Sequence, residues 1–75
     1  MNADKQLDAK GLACPMPIVK TKKVMKTMES GQILEIHTTD QGALNDLSAW
    51  ARSSGNELLQ SMTEGTVLKF WIRKG

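Results

Sequence analysis

Gly11, Gly31, Gly42, Gly55 and Gly65, together with Pro15 and Pro17, cut this sequence into short segments whose hydrophobic period changes from one to the next. From Pro17 to Met28, the residues Ile18, Thr21, Val24, Met25 and Met28 recur at helical spacing, and Lys20, Lys22, Lys23 and Lys26 cover the other side. The spacing predicts an amphipathic helix that stops before Gly31. A second helix is predicted after Asp40, a suitable N-cap, with Ala43, Leu44, Leu47, Trp50 and Ala51 on one face and Gly55 as the stop. Each helix therefore has one face to bury.

Between them, Gln32 to Thr39 reads as a strand, because Leu34, Ile36 and Thr38 alternate with Ile33, Glu35 and His37 and β-branched residues are frequent. Glu57 to Thr63 and Thr66 to Arg73 are two more extended runs, joined through Glu64-Gly65 closely enough to form an antiparallel hairpin. In the last run Leu68, Phe70 and Ile72 can all point inward. Lys5 to Ala9 adds a short first strand, and the order becomes β-α-β-α-β-β. A right-handed crossover makes the first two strands parallel, so the sheet is mixed. The expected class is α+β: a two-layer α/β sandwich with a mixed four-stranded sheet and two helices on one face.

The chain has 75 residues, which suits one domain spanning 1–75, with no internal repeat, low-complexity run or linker. A domain this small rarely encloses a deep cavity as well as a core, so its chemistry is expected at the surface and in partnership with other proteins. Ten Lys+Arg against eight Asp+Glu leave a net charge of +2, far short of the dense positive field of a dedicated nucleic-acid binder. The sequence holds 1 cysteine and therefore no internal disulfide, which fits a reducing compartment. The first residues lack the apolar stretch of a signal peptide, and no segment has membrane-spanning length. A cytoplasmic protein without membrane attachment is expected. Cys14 and His37 are the only residues of their types, so no zinc-binding spacing exists and neither a metal site nor a cofactor is expected.

The most informative stretch is Gly11-Leu12-Ala13-Cys14-Pro15-Met16-Pro17, which sets the lone thiol where a loop turns into a helix. The first N–H groups of a helix have no intrahelical acceptor and carry the positive end of the macrodipole, so a thiolate or persulfide anion is favoured there. Proline is compatible with a first helical turn and stiffens it. Met16 precedes Pro17, however, and a residue before proline is biased away from helical geometry, so an irregular first turn is expected.

Cys14-Pro15-Met16-Pro17 matches the C-P-x-P signature of the bacterial TusA or SirA-like sulfur carriers, which the sequence resembles over nearly its whole length. The likeness runs through Leu7-Asp8, Gly11-Leu12, Gly31, Asp40, Asp46, Trp50, Gly55 and the ending Phe70-Trp71-Ile72-Arg73-Lys74-Gly75. The resemblance implies a fold like the C-terminal domain of translation initiation factor three. It also implies a persulfide on Cys14, supported by Gly11, Pro15, Met16 and Pro17, in a carrier rather than a stand-alone catalyst. A cysteine desulfurase or rhodanese-type enzyme would supply the sulfur. A downstream acceptor protein, such as a DsrE-like one, would take it toward transfer-RNA thiolation, sulfur oxidation, molybdenum-cofactor supply or selenium metabolism. Thr39-Asp40 stands where many relatives have an acidic pair, and Ser48 where they have a proline.

Other readings of the same residues stand beside this one. A free cysteine is often a buried structural thiol, although the flanking prolines and helix start argue against that here. Lys20, Lys22, Lys23 and Lys26 fit a solvated helix face, or, with an exposed Val19 among them, a contact for an acidic partner. His37 is given no catalytic role. Met25, Met28 and Met62 are assigned to core packing, with Met16 set apart by its place between two prolines. Trp50 is expected to anchor the second helix, and Trp71 to cover the open sheet face or make a contact. The competing function is a regulatory or nucleic-acid-binding module using the lysine face. A thiol-redox enzyme is disfavoured, since no second cysteine resolves an oxidised intermediate. A monomer is expected.

Overall fold

Apolar alternation along two central strands organises the computed structural model, which describes residues 2–13 and 15–75. The elements are β1 (Lys5–Ala9), α1 (Met16–Lys26), β2 (Ile33–Thr38), α2 (Ala43–Ser54), β3 (Glu57–Glu64) and β4 (Val67–Arg73). They form a four-stranded sheet in the order β1-β2-β4-β3. β1 and β2 are parallel, whereas β4 is antiparallel to both of its neighbours. The register sets Leu34 beside Ile72, Ile36 beside Phe70 and Thr38 beside Leu68. All six residues are buried on the same sheet face, against Met25 and Met28 on one side and Ala43 and Leu47 on the other. The mixed α+β sandwich expected from the sequence is the one observed.

The helices are shorter than their periodicity suggests. α1 ends at Lys26, because Thr27 Oγ1 donates to the Val24 carbonyl and Lys74 Nζ donates to the Met25 carbonyl at 2.8 Å. These bonds satisfy carbonyls that further helical turns would otherwise occupy. Met28 stays buried, held by a tighter bond from its N–H to the Met25 carbonyl at 3.1 Å. α2 begins at Ala43, so Asp40 is not its N-cap. Gly42 holds that position, and the Asp40 carboxylate accepts the Gly42 N–H at 3.2 Å, closing a turn before the helix. Gly55 ends α2 as expected, in the left-handed region at φ 79°, where a side chain would be strained.

Two apolar side chains assigned to the core lie outside it. Leu44 is 43% exposed on the outer side of α2, and Met62 is 41% exposed on β3, the edge strand. Met62 is paired with Lys69 and points to the sheet face away from the helices, and Leu44 to the outer flank of α2, and neither side has a second layer to pack against. Trp50 is half-buried against the core.

The sheet face away from the helices is closed by a polar bridge. Glu35 accepts the Trp71 indole N–H at 2.9 Å through one carboxylate oxygen and pairs with His37 Nε2 through the other. Trp71 is thereby only 7% exposed, so it covers this face and offers no exposed contact. The hydrogen bond to His37, chiefly, holds the Glu35 carboxyl below the usual glutamate range, aided by the Trp71 N–H and opposed by partial burial.

Two outcomes follow from this packing. Phe70→Ala should cost about 3–5 kcal/mol and lower the urea midpoint, while Leu44→Ala should stay within about 0.5 kcal/mol of the parent. Because the Glu35 carboxyl titrates lower in the folded than in the unfolded chain, its stabilisation is present above the ordinary carboxylate range and is lost as pH falls through its folded pKa. Urea titrations should therefore show stability falling less steeply between about pH 5 and pH 3 in Glu35→Gln than in the parent.

Candidate functional site

Parallel pairing brings the carboxyl ends of β1 and β2 together, so the loops that follow them lie side by side at one end of the molecule. Gly11, Leu12 and Ala13 from the first loop and Thr39, Asp40 and Gln41 from the second line a shallow cleft of about 420 Å³. Three local hydrogen bonds shape the first loop: Lys10 N–H to Asp8 Oδ1 at 3.0 Å, Leu12 N–H to the Ala9 carbonyl at 3.3 Å, and Met16 N–H to the Ala13 carbonyl at 2.9 Å. A fourth reaches across the cleft, from Gly11 N–H to Thr39 Oγ1 at 3.0 Å. Gly11 has φ 81°, which turns the chain sharply as it leaves β1.

Cys14 lies outside the described residues, but its chain neighbours on both sides are described. Pro15 occupies the N-cap position of α1 and its carbonyl accepts the Val19 N–H at 3.1 Å. Met16 opens the helix and is 40% exposed, while Pro17 is buried in the first turn. Thr21, one turn on, donates its hydroxyl to the Pro17 carbonyl at 2.7 Å, so its buried oxygen is satisfied. Within this first turn Pro17 carries no N–H, and the Met16 and Val19 N–H groups already donate to the Ala13 and Pro15 carbonyls. Of the residues singled out from the sequence, Gly11 therefore lines the cleft, Pro15, Met16 and Pro17 start the helix, and Met16 projects toward solvent.

The lysines divide into two groups. All four are exposed, but only Lys22 and Lys26, joined by Lys74, border an apolar groove of about 260 Å³ formed with Met25 and Trp50. Lys20 and Lys23 border neither this groove nor the cleft. Val19 is half-buried, less open than its place among lysines suggests. His37 lies on the open sheet face, bound to Glu35, and does not line the cleft. Among the described residues no group of His, Asp and Glu side chains is arranged to hold a metal ion, and no helix is long and apolar enough to cross a membrane.

Sequence reading identified the first wall of the cleft and passed over the second. Thr39 stands out in the sequence only as part of a departure from a familiar acidic pair, Asp40 reads as a helix N-cap and a point of family likeness rather than as a cleft residue, and Gln41 has no marker at all. The signal available was topological: when two parallel strands are neighbours, the loops at their carboxyl ends converge, whatever residues they carry.

Comparison with known proteins gives this arrangement a family. The chain is 67% identical to YrkI of Bacillus subtilis over 75 residues, covering all of both chains. It is 46% identical over 71 residues to the sulfur carrier protein TusA of Allochromatium vinosum, covering 95% of this chain and 93% of that one. YrkF of Bacillus subtilis contains a 59% identical stretch of 75 residues that makes up 40% of its length. The fold matches the crystal structure of a SirA-like protein from Desulfitobacterium hafniense with a TM-score of 0.83, at 22% identity and with 95% of this chain and 97% of that chain covered. Residues 5–74 match the family model described as sulfurtransferase TusA, and the chain belongs to that family.

Proposed function

We propose that this protein is a sulfur carrier that holds a sulfane sulfur as a persulfide on Cys14 and hands it to an acceptor protein. The observation that carries the reading is the family match over residues 5–74 in a chain whose only cysteine stands in a C-P-M-P stretch that follows the cleft-lining Ala13 in sequence. The names borne by relatives, sulfur carrier protein TusA among them, point the same way.

The chemistry needs one thiol and no cofactor. On loading, the Cys14 thiolate attacks the terminal sulfur of a persulfide on the donor. The donor's S–S bond breaks, its cysteine leaves as a thiolate, and a new S–S bond forms on Cys14. On delivery an acceptor thiolate attacks the same terminal sulfur, and Cys14 leaves as the thiolate. No electrons are gained or lost overall, because the sulfur passes between thiolates at one oxidation level. The place of Cys14 just before α1 in the sequence, at the positive end of the helix dipole, favours its anionic form in both steps.

A cysteine desulfurase or rhodanese-type donor and a downstream acceptor, such as a DsrE-like protein or one leading to transfer-RNA thiolation, are the partners of this reading, with the carrier itself a cytoplasmic monomer. Lys22 and Lys26 beside the Met25–Trp50 groove, with Val19, Lys20 and Lys23 on the same helix, supply a basic face for an acidic donor surface.

Incubation with a cysteine desulfurase and cysteine, or with a rhodanese and thiosulfate, should add the mass of one sulfur to the reduced protein. Reductant should remove it, and Cys14→Ser should never acquire it. Failure to load from any donor, combined with salt-sensitive nucleic-acid binding that survives Cys14→Ser, would establish the regulatory module instead. Replacing both Lys22 and Lys26 with Glu should slow loading by about tenfold at low ionic strength, with the gap closing as salt is added.

A further inference from the structure

Met25 and Trp50 give an apolar lining to a groove of about 260 Å³ that is completed by Lys22, Lys26 and Lys74. The lining is fixed in place: Met25 is 4% exposed and belongs to the core, and Trp50 packs against it. Lys74 is fixed too, because its ammonium group donates to the Met25 carbonyl at 2.8 Å and to the Met28 carbonyl at 2.5 Å. Lys22 and Lys26 are exposed and one helical turn apart, so their charges stand along one edge. No carboxylate shares the groove with these lysines. Among the described residues the ion pairs are Glu35–His37, Glu64–Lys69 and Glu57–Arg73, all on strands, so the positive charge beside the groove is left without an internal partner. The groove also lies away from the cleft. α1 and α2 both start at the cleft end, and Lys22, Met25, Lys26 and Trp50 come from their second halves. Lys74 follows Arg73, which pairs with Ile33 at the start of β2, the end of the sheet opposite to the cleft.

We propose that this groove docks an acidic segment of another protein, which inserts one large apolar side chain against Met25 and Trp50 while flanking carboxylates meet Lys22 and Lys26. This rests on the carrier reading for what the partner does, but nothing in the groove depends on Cys14. Size favours a side chain over a free small molecule: sites for small molecules enclose about 300–1,000 Å³ and bury most of the ligand, whereas this groove is smaller and open. Charge decides the sign of the flanking groups. An apolar anchor alone would leave the ammonium groups facing nothing, and a basic segment would be repelled, while carboxylates satisfy both lysines and speed the encounter. Burying the anchor supplies the larger share of the affinity, since ion pairs at an exposed rim contribute little. A segment seated here leaves the cleft loops uncovered, so a second chain can reach them while the first is held.

The probe is a short, end-blocked peptide with one phenylalanine between two pairs of glutamates, titrated into the isotope-labelled full chain while amide and indole resonances are followed. Shifts should appear at Lys22, Met25, Lys26, Lys74 and the Trp50 indole N–H, and not at residues 11–13 or 39–41 of the cleft. Replacing the phenylalanine by serine should weaken binding about tenfold or more. Exchanging the peptide's glutamates for glutamine, or combining Lys22→Gln with Lys26→Gln in the chain, should weaken it roughly fivefold at low ionic strength, with the loss shrinking as salt is added. No shift at all, equal binding of the serine peptide, or shifts spread evenly over the lysines of the chain overturns the assignment. Groove shifts that grow with protein concentration in the absence of peptide would mean that a second copy covers the groove. Groove shifts with decanoate but none with the peptide would mean a site for small apolar anions, and either result refutes docking of an acidic segment. The titration involves no sulfur. A chain that loads sulfur but ignores the peptide loses the groove assignment alone, and one that binds the peptide but never loads sulfur loses only the carrier reading.

Discussion

Parallel pairing of β1 with β2 cannot be made by a tight turn, so the chain must cross over the sheet, and α1 is that crossover. The position of the site follows from this constraint. A crossover helix begins where the first strand ends, which brings the C-P-M-P stretch to the carboxyl end of β1. The loop after β2 necessarily opens on the same side. Had β1 and β2 been joined as a hairpin, the loops lining the two walls of the cleft would lie at opposite ends of the sheet.

The rest of the small structure serves to hold that arrangement with limited material. One face of the sheet is buried under two helices, and Leu34, Ile36, Phe70 and Ile72 are fully enclosed there. The other face has no second layer. It is closed by Trp71, whose indole N–H is satisfied by Glu35, which in turn engages His37. The end of the chain contributes as well: Lys74 N–H donates to the Gln32 carbonyl and Lys74 Nζ to the Met25 carbonyl, tying the last residues to both ends of the segment between α1 and β2. Stability thus comes from the sheet and its helices, and the cleft loops are free to be shaped by function.

A site on the rim of such a sheet has consequences for chemistry. The cleft is too shallow to enclose a substrate by itself, so a reaction carried out there would rely on a second protein to exclude water. The lysine-bordered groove and the exposed Met16 lie on elements next to that rim, one running along α1 and the other opening it. The flank of α1 beside the groove is basic, through Lys22 and Lys26.

Much of this was legible in the residues themselves. Periods of two and of 3.6, broken at glycines, specify the element order, because each segment offers one apolar face and the spacing of that face reveals its conformation. The two prolines likewise mark the start of the first helix, since that signal lies in adjacent residues. The sequence was misleading where the outcome depends on what lies across space. Leu44 and Met62 have the right chemistry for a core but no partner layer to enter. Asp40 has the right chemistry for an N-cap, yet turns the chain two residues too early. Thr39 looks ordinary until the parallel pairing sets it opposite Gly11. Local patterns determine conformation, whereas contacts between residues 28 positions apart depend on strand order and register, and those are decided only when the whole core closes.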